Sequence, residues 1–495
     1  MERSPIRSGR KVCMEKMENH FLEKFLYPDS VAVVGASRNP MRPNHNLVAN
    51  LVRLGFQGKV YPVNPETKEI AGIKAYPDLK SIEGPIDLAV IAVPYNLAPK
   101  LLQEALAMGI KRVTIVAGGF SETGEEGKRV QREMALLLRK NGARAIGPNA
   151  LSPINAGTNL AVSFFPIQKL RAGGLSFIFQ SGLYEPRLDW LFSDFNLHLC
   201  KLIDLGNKMD ISEVEVLSYL SQDPDTRVIA IHMESIEGKG REFLRLIRET
   251  SRHKHVVVLK SGRTQAGAQM AASHTGVIVR GNDLVFDAAL KQAGAIRAQD
   301  IEEFFDLARA LERFGPYRFK GTRLAVATLP GGEAVVVTDL CHQAGFSLPR
   351  LQEKTREKLR AVFPPWDMSG NPFDLGVTLQ FHDPRKVYLT LLEAVAEDPN
   401  VDALAVQLPP RIVNAPREFF HPFVQALKAQ KPIALWLPGF PSGRDESLQW
   451  LEDQHIPVFS SPEKALNALF ALQRSSLWKS HTLPAESGAA PREME

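Results

Sequence analysis

The segment Ala271-Ala272-Ser273-His274-Thr275-Gly276 sets one imidazole among hydroxyls and small residues, a pattern suited to carrying a phosphoryl group. A neutral imidazole is nucleophilic at one ring nitrogen when the other donates its proton to a carboxylate or carbonyl. The phosphoramidate so formed is anionic and needs backbone N–H groups or a helix N-terminus around it. Ser273 and Thr275 offer hydroxyl donors, and Gly276 leaves room for close approach. Any one of the 12 histidines taken at random would be a surface or core residue. His274 is set apart by its context, which reads as a flexible loop and not as an apolar helical face.

Two further segments fit the same need. Gln180-Ser181-Gly182 follows the strand Gly174–Phe179 and is expected to open a helix whose N-terminus could hold the phosphate. Glu234, after the strand Val228–His232, could orient the imidazole; Glu237 is a nearby competitor, and either is equally an ordinary loop carboxylate. Nearer the N-terminus, Val31–Val34 runs into the small-residue turn Gly35-Ala36-Ser37-Arg38. Such a turn lets backbone N–H groups reach a phosphate, and is equally a tight strand-to-helix connection with no ligand. Arg38, Arg42 and Lys68 could meet phosphates, or be solvated surface charges. A nicotinamide site is disfavoured, because G-x-G-x-x-G is absent and Asn64 stands where a ribose-binding carboxylate is expected.

These segments need a scaffold, and the chain repeats one. A short β-branched run, a Gly/Pro/Asn break and an amphipathic helix alternate in three blocks, which implies parallel sheets covered by helices. Strands are expected at Val31–Val34, Val60–Val63, Leu88–Val93, Arg112–Val116 and Ala143–Ile146. A second set is Gly174–Phe179, Leu199–Leu205, Val228–His232 and His255–Leu259. A third is Thr322–Ala327, Ala403–Leu408, Pro432–Leu437 and Val458–Phe459. The domains expected are a flexible arm over 1–22, blocks over 23–160, 161–316 and 317–474, and a disordered polar tail over 475–495.

Composition bounds the function. With 495 residues, 44% hydrophobic and 23% charged, the chain reads as a multidomain globular protein. A net charge of +5 without a Lys/Arg block argues against nucleic acid as the partner. No apolar run reaches the ~18 residues of a membrane span, and the first ~20 residues lack the apolar core of a secretory signal. Cys13, Cys200 and Cys341 form no C-x-x-C pair, so neither a metal site nor a disulfide framework is expected, and the setting reads as reduced and cytoplasmic.

Five segments then occur in order: Gly35-Ala36-Ser37, Pro62-Val63-Asn64-Pro65, Ala92-Val93-Pro94, Gly119-Phe120-Ser121-Glu122-Thr123-Gly124 and Gly147-Pro148-Asn149. From about Phe25 to Asn155 the chain resembles the CoA-binding domain of succinyl-CoA synthetase α subunits and ADP-forming acetyl-CoA synthetases, the NDP-forming acyl-CoA synthetase family. The resemblance implies an N-terminal Rossmann-like CoA-binding domain followed by two flavodoxin-like, doubly wound parallel-sheet domains. It implies that Gly35, Ala36, Ser37, Arg38, Asn64, Lys68, Val93 and Pro94 surround CoA, with Asn149 near the thiol. Ser273-His274-Thr275-Gly276 resembles the family's phosphohistidine loop, Gln180-Ser181-Gly182 the start of its phosphate-binding helix, and Gly206-Asn207-Lys208-Met209-Asp210 its Gly-Asn-Lys-x-Asp turn. Glu234 matches the supporting glutamate, and Lys291-Gln292-Ala293-Gly294 continues the likeness. Leu329-Pro330-Gly331-Gly332-Glu333-Ala334 and Gly370-Asn371-Pro372-Phe373-Asp374 resemble the third domain, where a structural role is expected.

Three departures stand out. Glu66 replaces a frequent Lys, Ser152 replaces a frequent Gly, and the bulky Leu183-Tyr184-Glu185-Pro186 follows Gln-Ser-Gly. No Walker-A sequence and no ATP-grasp-like segment is present. The resemblance therefore implies that ADP/ATP (or GDP/GTP) and Mg2+ bind a separate ATP-grasp β subunit in a heterotetramer. The implied reaction interconverts acyl-CoA, NDP and phosphate with carboxylic acid, CoA and NTP, through an acyl phosphate and phospho-His274. A noncatalytic CoA or acyl-CoA sensor of the same fold is the alternative. The Leu183–Pro186 departure favours it, and the retained His274 and Glu234 oppose it.

Overall fold

In the computed structural model, residues 20–236, 239–275, 282–319, 321–329, 331–364, 370–409, 412, 415–439 and 445–482 are described, with backbone alone for 272–275 and 481–482. The three α/β blocks expected from sequence are present as three sheets. The first two sheets belong to one compact unit and the third to another.

The first sheet holds β1 (Ser30–Val34), β2 (Lys59–Val63), β3 (Leu88–Ile91), β4 (Arg112–Ile115) and β5 (Arg144–Ile146), in the order β2-β1-β3-β4-β5. All pairs are parallel. Helices cover both faces, so the central strands read as unbroken apolar runs: every residue of β1 and β3 is buried, as a parallel sheet requires. The chain leaves β1 toward β2 and returns to β3 on the other side. This reversal of strand order opens a crevice at the carboxyl ends of β1 and β3. The helix Pro43–Leu54 starts there, with Pro43 in its first turn and Gly55 closing it at φ 76°, the usual proline-in, glycine-out signature.

The second sheet holds β6 (Ala172–Phe179), β7 (Leu199–Asp204), β8 (Val228–Met233), β9 (His255–Lys260) and β10 (Ile296–Ala298), in the order β10-β9-β8-β6-β7. Here β6 is parallel to both β7 and β8, so a second crevice opens at its carboxyl end. Two short strands, Ile154–Asn155 and Leu160–Ala161, add antiparallel edges beside β7. This sheet therefore starts before the boundary expected at 160, because the chain crosses from one sheet to the other as a strand pair. Phe177, Phe179, Phe304 and Phe305 form its aromatic core, with neighbouring centroids 5.2–6.0 Å apart.

The end of the expected arm and the residues after it are anchored. Leu22 is fully buried, the Leu26 carbonyl accepts from Asn155 Nδ2 at 2.9 Å, and Tyr27 lies 5.4 Å from the Lys201 ammonium. Lys201 itself pairs with Asp223 at 2.6 Å, both side chains at most 2% exposed.

The other unit carries β11 (Leu324–Thr328), β12 (Phe373–Asp374), β13 (Ala403–Gln407), β14 (Ile433–Trp436) and β15 (Val458–Phe459), parallel in the order β12-β11-β13-β14-β15. Glu333 accepts from Gln407 Nε2 at 2.9 Å and Trp436 Nε1 at 3.0 Å. Asn371 bonds both the Leu324 carbonyl and the Val326 amide. Both segments thus tie strand ends together. The closing helix runs Pro462–Thr482, past the tail boundary expected at 475, since Ser475, Ser476 and Lys479 are buried. Among the described residues no helix is long and apolar enough to cross a membrane, and no group of three or more His, Cys, Asp or Glu is placed to hold a metal. Cys200 and Cys341 are buried thiols.

Candidate active site

The crevice at the ends of β1, β2 and β3 is a cavity of about 500 Å3 lined by Gly35, Ala36, Ser37, Arg38, Arg42, Asn64, Val93 and Pro94, with Asn44, Glu66 and Thr67 among the rest. Its shape depends on glycine. Gly35 sits at φ 88°, and a Cβ there would lie 2.4 Å from the Ala92 carbonyl oxygen. Asn44, at the start of the helix Pro43–Leu54, donates to the carbonyls of Gly35 at 3.0 Å and Ala92 at 2.8 Å. The two loops are therefore held side by side. Asn64 donates to the Ala36 carbonyl at 2.8 Å and accepts from the Glu66 amide at 2.8 Å, so its amide shapes the turn.

Two cations, Arg38 and Arg42, reach this lining beside the N-terminus of a 12-residue helix. Such a set fits a phosphate-bearing ligand. The expected Lys68 is exposed and does not reach the lining, where Glu66 and Thr67 stand instead. The short strand pairing after Thr67, Glu69–Lys74 and Ile70–Ile73, turns the chain away before the lysine can point inward.

A second cavity, of about 460 Å3, opens at the end of β4 and the carboxyl end of β6. It brings Asn149 together with Gln180, Ser181 and Gly182, and adds Val116, Leu151, Phe164, Leu183 and Asp204. Three motifs far apart in sequence interlock to build it. The Glu122 carboxylate accepts from the Gly119 amide at 2.6 Å and from Asn207 Nδ2 at 2.6 Å. The amides of Asn207 and Met209 donate to the carbonyls of Pro148 and Gly147 at 2.9 and 3.1 Å. Gly206, at φ 52°, packs so closely that a Cβ would meet the Pro148 oxygen at 2.2 Å.

The Gln-Ser-Gly turn is built otherwise than expected. Gly182–Arg187 is a 3-10 turn of six residues containing Pro186, and the α-helix Leu188–Ser193 starts only after it. Proline cannot donate to the preceding turn, so an α-helix cannot begin at Gly182. Ser181 is extended and makes no side-chain cap bond. Gln180 turns its amide inward: Oε1 accepts from the amides of Glu234 at 2.8 Å and Ser235 at 3.1 Å. Glu234 follows β8 and is buried, which places it beside Gln180. Tyr184 is fully buried and donates to the Leu151 carbonyl. Glu185 accepts from Ser163 Oγ at 2.9 Å, and its other oxygen has no hydrogen-bond partner. The bulky segment is thus a strut holding the cavity wall.

Burial dominates the electrostatics. It pushes the Glu185 carboxyl up to about 8, opposed by the Ser163 hydroxyl and aided by the nearby Asp204 charge. It also pushes Asp204 up to about 6, although the amides of Leu151 at 2.9 Å and Gly206 at 3.1 Å bond to it. His232, buried at the end of β8, is held down to about 3 by burial and by the Lys260 charge. It bonds Ser261 Oγ at 2.8 Å. Asp204, Glu185 and Glu122 escaped the reading of the sequence. Asp204 alone carried a usable signal, since it ends a strand just before Gly206-Asn207, where ligands gather in such sheets.

The histidine segment is helical. Gln265–Thr275 forms a helix where a flexible loop was expected, because Gln265, Ala266, Ala268, Gln269, Met270 and Ala271 are all good helix formers. This helix runs against the turn Ser121–Thr123 of the first sheet's domain. Ser273, His274 and Thr275 fall on its last turn; their side chains, Gly276 and Glu237 lie outside the described residues.

Residues 29–154 match the family model described as a CoA binding domain, and residues 172–311 the model of a succinyl-CoA ligase-like flavodoxin domain. The α subunit of acetate–CoA ligase [ADP-forming] II of Pyrococcus furiosus is 35% identical over 91% of this chain and 97% of its own length. Acetate–CoA ligase [ADP-forming] II of Archaeoglobus fulgidus is 36% identical over 90% of this chain; the match spans 66% of that longer protein. Among solved structures, dinucleotide-forming acetyl-coenzyme A synthetase 1 of Ca. Korarchaeum cryptofilum, in complex with phosphate and ADP, superposes with a TM-score of 0.82. It is 30% identical, over 94% of this chain and 99% of that one.

Proposed function

The chain belongs to the family of ADP-forming acetate–CoA ligase α subunits, which are acid–thiol ligases, and from that premise we propose that it is the CoA-binding, phosphohistidine-carrying subunit of an NDP-forming acyl-CoA synthetase. One observation carries the reading. A single cavity joins Asn149, beyond the turn Gly147-Pro148, to Gln180-Ser181-Gly182, so a thioester end and a phosphate turn would share one cleft.

The cavity at β1 and β3 would take the adenosine phosphates of CoA on the turn Gly35-Ala36-Ser37 and on Arg38 and Arg42. Asn64 supports that turn, and Val93 and Pro94 flank it. In the second cavity, phosphate held at Ser181 and the backbone of Gly182 would attack the thioester carbonyl carbon. The C–S bond breaks, and CoA leaves as the thiolate. His274 would then attack the phosphorus of the acyl phosphate, releasing the carboxylate. Glu234, with Ser273, Thr275 and Gly276 beside the ring, would steady the phosphorylated imidazole. ADP or GDP, with Mg2+, would accept the phosphoryl group on an ATP-grasp β subunit, in a cytoplasmic heterotetramer.

Co-purification with such a partner permits the test. ATP formation from acyl-CoA, ADP and phosphate should fall by more than about a thousandfold in His274→Ala, as loss of a covalent nucleophile does elsewhere. Equal turnover in that variant would reject the proposal. The sensor alternative predicts acyl-CoA binding with no nucleotide product in the native chain.

A further inference from the structure

The cavity at the ends of β1, β2 and β3 carries its charges unevenly. Its two cations come from one loop, Arg38 from the turn after β1 and Arg42 from the start of the helix Pro43–Leu54. The end of β2 supplies Asn64, Glu66 and Thr67 instead. The two loops are level with each other. Val34 pairs with Val63, and the Gly35 amide donates to the Val63 carbonyl at 3.0 Å. Asn64 ties the loops together through the Ala36 carbonyl and the Glu66 amide.

Glu66 is thereby held at the cavity by its backbone, with its side chain left over. Its amide donates to the Asn64 side chain at 2.8 Å, and the Thr67 hydroxyl just after it donates to the Glu69 carbonyl at 3.0 Å. The Glu66 carboxylate makes no hydrogen bond or ion pair among the described residues. In an open parallel sheet a nucleotide lies across the switch point, its pyrophosphate on the first turn and its ribose toward the end of the next strand. A carboxylate there accepts from free ribose hydroxyls, whereas an arginine accommodates a ribose phosphate. CoA bears a phosphate on its 3′-oxygen, and dephospho-CoA bears a hydroxyl. The hydroxyl can donate to Glu66; the phosphate, itself an anion, is repelled by it.

Resting on the CoA-binding reading above, we propose that Glu66 determines which ribose this cavity accepts, hydrogen-bonding a free 3′-hydroxyl and disfavouring a 3′-phosphate, so that the chain takes dephospho-CoA at least as tightly as CoA. Arg38, Arg42 and the helix N-terminus serve the pyrophosphate, which the two ligands share. The ligands differ at the 3′-position alone, so their affinity ratio isolates the contact with Glu66.

The test is isothermal titration of the full chain with CoA and with dephospho-CoA, at about 50 mM and about 0.5 M salt. At low salt the native chain should show a Kd for dephospho-CoA equal to or below that for CoA. High salt should move the ratio toward CoA, because it screens the repulsion between Glu66 and the 3′-phosphate. Glu66→Gln keeps the shape and removes the charge, and should move the low-salt ratio toward CoA by at least about fivefold. Glu66→Lys should move it by at least about tenfold, the scale of one charge contact near a protein surface. Tighter binding of CoA than of dephospho-CoA by the native chain overturns the assignment of Glu66 alone, as does a ratio that neither variant moves. Binding of neither ligand overturns it together with the reading it rests on.

Discussion

Replacing Glu185 with glutamine should make the protein more stable at pH 8 than the native chain, and the gain should vanish in mild acid. The Glu185 side chain is buried, one oxygen bonded to Ser163 at 2.9 Å and the other without a partner. Burial raises its carboxyl from 4.5 to about 8. Below pH 4.5 both folded and unfolded chains hold this proton, and its contribution is fully present. Between 4.5 and 8 the unfolded chain has lost the proton and the folded chain keeps it, so stability falls as pH rises. At 1.36 kcal/mol per pH unit, the interval corresponds to about 5 kcal/mol. Glutamine keeps the shape, accepts from Ser163 and does not titrate, so Glu185→Gln removes that slope. Calorimetric melts of the two proteins at equal pH and ionic strength cancel every other titration. The difference in melting temperature should be near zero at pH 5 and grow to roughly 5–10 °C in favour of the variant at pH 8. A difference that stays flat across that range would show that the carboxyl is solvated, and that the strut between the 3-10 turn and Ser163 is not formed.

Three other outcomes follow from the same coordinates. Gly35→Ala places a methyl group 2.4 Å from the Ala92 oxygen at φ 88°; isothermal titration should show at least about a tenfold loss of CoA affinity, and denaturant titration a folding stability lowered by about 1–3 kcal/mol of strain. Lys201→Met strands Asp223 in a site at most 2% exposed, which should cost about 3–5 kcal/mol in a denaturant titration; the double change Lys201→Met with Asp223→Leu should recover most of it. His274→Ala should still convert acyl-CoA and phosphate to an acyl phosphate, trapped by hydroxylamine as the hydroxamate, because in the proposed route the first step would use Ser181 and Gly182 and not the imidazole.

The sheets could be read from the chain because parallel strands buried on both faces must be apolar throughout. Val31–Val34 and Val228–His232 announce themselves by that rule, and the Gly35 and Gly206 turns by their small residues. The helix at Gln265–Thr275 was obscured by its own motif, since Ser-His-Thr-Gly reads as a loop while every residue from Gln265 to Ala272 except Gly267 favours helix. Pro186 was visible as an obstacle to a helix at Gly182, yet the outcome, a 3-10 turn that buries Tyr184 and Glu185, depends on Leu151 and Ser163 being near. Buried acids are the least readable class of all. Nothing in the local pattern around Glu185 distinguishes it from a solvated carboxylate, because its burial is decided by a chain segment 22 residues away. Lys68 shows the converse: a cation close in sequence to Asn64, which lines the cavity, is carried outward by the short hairpin that follows Thr67.

The most direct test is to incubate the native chain and its nucleotide-binding partner with γ-labelled ATP, digest it, and locate the label. The account predicts one labelled peptide containing His274, unstable in acid, stable in base, and discharged on adding a carboxylic acid with CoA. Label on any other residue, or label that survives acid, would contradict it.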